Sequence, residues 1–178
     1  MEILKRNILI LIGLVGIILY LTGCNKEVSA PKVEVNPVLD VTQFSNMTQN
    51  DLLAKLGEPL RKDEWIAKSR TGKGYPATSF HYEIDHVPIE FISIDQTIVR
   101  LDVLNLEHDE YKLKIKEHQD ILPLIGITPS DDMKVSVENS VTARYATVND
   151  KVDDVWATLN HETVDSLRVT FDSSYLAE

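Results

Sequence analysis

The sequence predicts an α+β domain built as two tandem repeats, each a short helix followed by a three- or four-stranded antiparallel β-meander, with the helices packed on one face of the sheet. Three observations predict it. A capped helix signature at "NMTQNDLLAKLGEP" runs into segments that alternate apolar and polar residues, and a second helix-like segment, "DILPLIG", runs into a similar series. The boundaries expected are an export leader at 1–23, a tether at 24–40, and the two repeats at 41–104 and 105–178.

The leader comes first. Lys5 and Arg6 precede fourteen almost unbroken apolar residues, Ile8–Leu21, and small residues follow, the layout of an export signal. As a helix such a run extends about 21 Å, short of the ~30 Å hydrocarbon core, so a cleaved signal reads better than a permanent span.

The next four residues, Leu21-Thr22-Gly23-Cys24, resemble the bacterial lipobox. That resemblance implies diacylglycerol on the Cys24 thiol and cleavage between Gly23 and Cys24. Cys24 is the one cysteine of the chain, so internal disulfides are excluded, and once it is acylated so are redox chemistry and cysteine-metal sites. The stretch Asn25–Asp40, with Pro31 and Pro37 and no helical period, reads as a tether reaching at most about 50 Å. An edge strand through Val33 and Val35 is the alternative there.

In the first helix Thr48 is the N-cap with Asp51 three residues on, Met47 and Leu52 form the staple, and Gly57 and Pro59 stop the helix. Leu52, Leu53 and Leu56 then make one apolar face, which so short a helix must bury elsewhere. Strands are read at "DEWIA", "FHYEI", "VPIEFISID" and "IVRLDVL", with "TGKGYP" as a hairpin loop. The second half matches piecewise: "DLLAKLG" (51–57) with "DILPLIG" (120–126), "FHYEI" with "ARYATV", "IEFISI" with "DVWATL", and "VRLDV" with "LRVTF". The offset drifts only between 63 and 69 residues, which points to two copies of one unit.

The order "F-x-x-M-T-x-x-D-L-L-x-x-L-G-x-P" resembles the small-lipoprotein domain of outer-membrane assembly factors, and its tandem form the β-lactamase-inhibitor-protein-like fold. Gly57 and Pro59 match that pattern; Asn46 stands where a glycine is usual, and Thr128 replaces the second proline, with Pro129 one later. The resemblance implies a non-enzymatic module that binds proteins or envelope components.

Charge narrows the partners. Loss of residues 1–23 moves the net charge from −10 to −11, which disfavours nucleic acid. Residues 117–178 carry four basic against twelve acidic side chains, so a partner of that half is cationic or neutral, or the acids are plain solvated surface.

No phosphate loop, nucleophile elbow, zinc-protease motif or EF-hand loop is found. His81, Glu83 and Asp85, with His86 beside them, share a strand face and are a geometric metal candidate, but a solvated face is the preferred reading; no metal or other cofactor is expected. "NDKVDD" (149–154) reads as a polar turn. Residues 61–73, "RKDEWIAKSRTGK", gather five cations against two acids, and Arg61, Lys62, Trp65, Lys68, Arg70, Lys73 and nearby Tyr75 are the candidate partner-binding residues. An ordinary charged hairpin with Trp65 in the core is the competing reading, and Trp156 is likewise read as core.

The expectation is therefore a bacterial lipoprotein, lipid-anchored on the extracytoplasmic face of the cell membrane, non-enzymatic, binding a protein or envelope polymer. A small-ligand-binding lipoprotein serving a transporter or sensor is the alternative, and a hydrolase using His81, Asp85 or His86 stands third.

Overall fold

A computed structural model describes Pro37, residues 39–104, Leu106 and residues 113–177. The leader, Gly23, Cys24 and most of the tether lie outside the described residues. Leu39 and Val41 already donate to the carbonyls of Leu124 and Ile125, and Asp40 caps a 3-10 turn at Val41–Phe44.

The elements are α1 (Gln49–Leu56), β1 (Arg61–Lys68), β2 (Gly74–Ile84), β3 (Val87–Ile94), β4 (Thr97–Val103), β5 (Leu113–Lys114), α2 (Ile121–Leu124), β6 (Lys134–Asn139), β7 (Thr142–Ala146), β8 (Asp154–Asn160) and β9 (Thr163–Thr170). All nine strands form one antiparallel sheet in the order β1-β2-β3-β4-β9-β8-β7-β6, with β5 added on β9.

This corrects the predicted fold class. The protein is mostly antiparallel β-sheet with two short helices, not two helix-plus-meander repeats with helices packed on the sheet. The decisive contact is between β4 and β9, where Arg100–Val103 pairs with Leu167–Thr170 and welds both halves edge to edge. A single core follows, running from Phe80 and Phe91 through Leu101 and Val169 to Val155 and Tyr145. The second helix signature also fails. Residues 118–120 make a 3-10 turn, α2 has only four residues, and Gly126 at φ +76° turns the chain away.

α1 forms as its capping box dictates, with Thr48 Oγ1 accepting from Asp51 N–H and the Asp51 carboxylate accepting from Thr48 N–H. Leu52 is fully buried in the shared core beside Phe44, which meets Phe91 at 4.8 Å. Tyr82 Oη donates to Gly57 O and ties the end of α1 to β2.

Two tight hairpins shape the first half. β2–β3 turns through Asp85 and His86 at φ +48° and +65°, and β3–β4 through Asp95 and Gln96 at +51° and +68°. Such turns require the left-handed region at both central residues, where glycine is at ease and a residue with a Cβ is strained.

Gln96→Gly should therefore raise stability by about 1 kcal/mol in urea unfolding. Gly126→Ala should lower it by more than the left-handed penalty alone, because the new Cβ would stand 2.8 Å from Asp40 Oδ1 and 2.9 Å from Asp40 Cα. Gly57→Ala is the control, since nothing lies within 4 Å of its Cβ position. Equal losses at Gly57 and Gly126 would show that the Asp40 contact is unimportant.

Candidate functional site

Alternation gives the sheet a core face and an opposite face. The C-terminal segment covers only one end of that opposite face: Leu176 joins Ala67, Ala77, Ile92, Ile94 and Val99 in a small cluster, Tyr175 packs edge-on against Tyr75 at 5.0 Å, and Ala177 N–H donates to Lys68 O. Beyond this strap the strand pairings align one residue from each of eight strands in a single row: Arg61, His81, Glu90, Asp102, Arg168, Trp156, Arg144 and Val137. At ~4.8 Å per strand the row spans ~34 Å.

The row is electrostatically knitted. Arg61 Nε lies 2.7 Å from Asp63 Oδ2, and His81 Nε2 lies 2.9 Å from the same oxygen. At the centre Asp102 faces Arg100 at 3.1 Å and Arg168 at 3.4 Å. The Arg144 and Arg168 guanidinium groups sit 4.9 and 5.9 Å from the Trp156 ring, and Arg144 Nε donates to Asp154 at 3.0 Å. Trp156 thus stands between two cations, an arrangement favoured by the ring quadrupole. Beside it a shallow depression of about 360 Å³ is lined by Asp102, Trp156, Arg168 and the hydroxyl-bearing Thr142, Thr158 and Ser166.

The central ion pairs are loosely made. Asp102 is 7% exposed, and its Oδ1, with Arg168 Nε and Arg100 Nε, is buried without a hydrogen bond among the described residues. Burial accordingly pushes the Asp102 carboxyl above the usual 3.8; Arg100 and Arg168 pull it down less than burial and Glu90 raise it.

The residues singled out from sequence are not brought to one surface. In β1 Arg61 and Trp65 point to the open face, whereas Lys62 and Lys68 point to the other; Arg70 and Lys73 lie in the hairpin loop, and Tyr75 is packed under the C-terminal strap. Lys62 pairs with Glu64 at 3.5 Å, Lys73 Nζ sits 4.5 Å over the Tyr75 ring, and Trp65 Nε1 donates to Ser79 Oγ. His81 is held by Asp63, and His86 Nδ1 by Glu83 at 3.3 Å. Among the described residues no group of three His, Cys, Asp or Glu is placed to hold a metal ion. The carboxylates of 149–154 are dispersed: Asp153 accepts from Ser173, and Asp154 faces Arg144.

A second concavity, about 500 Å³, opens on the core-face side between β6 and the 118–120 turn, lined by His118, Glu138, Tyr145 and His161 among others. His118 Nδ1 and Glu138 Oε1 lie 3.0 Å apart, and Tyr145 Oη donates to His118 O. Burial, helped by Glu138, pushes the Tyr145 phenol up to about 12. It is a hydrogen-bond donor at any physiological pH.

No family model matches the chain, and no curated protein matches it. Two solved structures share part of its chain path. One is an extracellular protein containing a SCP domain from Bacillus anthracis str. Ames, at 16% identity and TM-score 0.41, covering 81% of this chain and 50% of that one. The other is a cysteine-rich secretory protein from Staphylococcus aureus subsp. aureus Mu50, at 13% identity and TM-score 0.43, covering 76% of this chain and 46% of that one. This chain spans about half the length of each.

The raised Asp102 carboxyl sets a pH dependence. The folded state holds that proton more tightly than the unfolded chain, so its contribution to stability is full below the ordinary 3.8 and is lost as pH rises through the raised value. Urea unfolding at stepped pH should show the native protein losing ground to Asp102→Asn as pH rises from 3.8 through the raised value and then levelling off. A native advantage that grows with pH would contradict the account.

Proposed function

We propose that this protein is a membrane-anchored, extracytoplasmic lipoprotein whose single-sheet domain is a non-enzymatic binding module for a protein or cell-envelope component. The anchor rests on Leu21–Cys24 and the leader before it. Binding rests on one observation: the open sheet face carries a row of half-buried Arg and Trp side chains centred on Trp156. Indole and guanidinium groups supply much of the binding energy at protein interfaces, because they combine large apolar area with directed donors. A flat, polar, partly desolvated surface of this kind suits a macromolecule or polymer better than an enclosed metabolite.

Capture from a detergent extract of the native envelope tests the binding claim. The immobilised native chain should retain a partner that Arg144→Glu/Arg168→Glu loses and that Arg61→Glu/Lys68→Glu/Arg70→Glu keeps. Loss only with the second variant would move the surface to the 61–73 hairpin, and equal retention by all three would sink the proposal. The anchor is tested separately. Labelled palmitate should enter the native chain and not Cys24→Ser, and the mature N-terminus should map to Cys24.

The cleft beside His118 and Tyr145 supports the small-ligand alternative. A metabolite that raised the melting temperature of the native chain but not of Tyr145→Phe would favour that reading.

A further inference from the structure

The two edges of the sheet differ in kind. β6 is interrupted by a register shift between Val135 and Val137, a device that blunts edge pairing. β1 pairs with β2 over eight residues without a shift, and among the described residues no strand lies on its other side. Its flank is also apolar, with Leu60, Ile66 and Trp65 exposed by 76%, 61% and 38%. A long, regular, partly apolar edge is what natural sheets normally avoid.

The backbone of β1 shows which groups are free. Ser69 N–H donates to Lys73 O where the hairpin closes, and hydrogen-bonded pairs alternate in an antiparallel ladder. In the observed register, Arg61, Asp63, Trp65 and Ala67 therefore bond to β2, while the N–H and C=O of Lys62, Glu64 and Ile66 point outward. Lys68 O also points outward, and it is the carbonyl that Ala177 takes.

We propose that this edge binds a second copy of the chain, β1 against β1, about a two-fold axis through Asp63. Symmetry with both core faces on one side allows only registers that pair odd with odd and even with even residues. Centring on Asp63 sets Lys62 opposite Glu64 on the core-face side, a pair that occurs twice. On the open face Arg61 meets the Trp65 ring. The two central Asp63 carboxylates arrive already held by Arg61 and His81. Moving the axis to Lys62 puts Lys62 on Lys62, and moving it to Glu64 puts Glu64 on Glu64 and Lys62 on Ile66. Among these three registers, the charge pairing of Lys62 with Glu64 favours the one centred on Asp63. The proposal stands independently of the partner-binding reading, since residues 62–64 are apart from the Trp156 centre.

The full-length chain in detergent provides the test by sedimentation. The native chain should associate reversibly with rising concentration. Lys62→Glu alone and Glu64→Lys alone each place like charges opposite and should stay monomeric, while their equimolar mixture restores both pairs and should associate as the native chain does. On a Cys24→Ser background, oxidation should cross-link Asp63→Cys severalfold faster than Lys62→Cys or Glu64→Cys, because only residue 63 faces its own copy at about 4.5 Å between Cα atoms. A native chain that is monomeric throughout, a mixture no better than its components, or faster cross-linking at 62 or 64 would overturn the proposal. Circular dichroism of each variant confirms that these exposed positions leave the fold intact.

Discussion

The pairing of β4 with β9 is the constraint on which the rest of the structure depends. Four aligned residue pairs, Arg100–Thr170 to Val103–Leu167, join two four-stranded meanders that would otherwise each need a core of their own. Because strand alternation carries across the seam, Leu101 and Val169 share one core face while Asp102 and Arg168 share the other. Continuity of the apolar layer and continuity of the polar row are therefore the same geometric fact. A one-residue slip at the seam would invert both.

That seam also explains the electrostatics of the open face. It brings Asp102 beside Arg168 near the middle of a wide sheet, where the carboxylate is nearly cut off from water while the Arg168 side chain stays 40% exposed. The attraction at 3.4 Å is too poorly aligned to repay desolvation in full, which is why the carboxyl is raised although two arginines flank it. Trp156 and Arg144 extend this half-buried, cationic-aromatic strip towards β7, away from the C-terminal strap. Partly desolvated groups lose less on docking than fully hydrated ones.

Much of the strand layout was legible because alternation is a strong local signal: "FHYEI" falls in β2, "IVRLDVL" in β4 up to Val103 and "LRVTF" in β9 up to Thr170, and Thr48 and Asp51 form the capping box their spacing implies. The assembly was not legible, because nothing local distinguishes two small sheets from one large one; that depends on which edge β9 meets. Resemblance between "DLLAKLG" and "DILPLIG" overstated the second helix, since Pro123 stands where the first copy has Ala54 and has no N–H to give a helix running on from the 118–120 turn. The binding row was missed for a related reason. Arg100, Asp102 and Arg168 each read as the solvent side of an amphipathic strand and Trp156 reads as core, and only the cross-strand register shows them to be neighbours. The 61–73 cluster, by contrast, was visible in sequence but is divided by alternation between two faces and a loop.

The difference between the two edges bears on how far self-association could go. If β1 met β6 of the next chain, the contact would be heterologous and could propagate as an open filament; β1 against β1 uses the same edge on both partners and closes at two copies. The shift at Val135–Val137 spoils β6 as an acceptor. One edge is thus blunted while the other is left regular, a division that permits a dimer and opposes a fibre. Five residues of strand contact from each chain, Arg61–Trp65, bury too little surface for tight binding in free solution, but were the chains anchored on one membrane as proposed above, they would meet at a raised effective concentration where a weak, closed contact suffices.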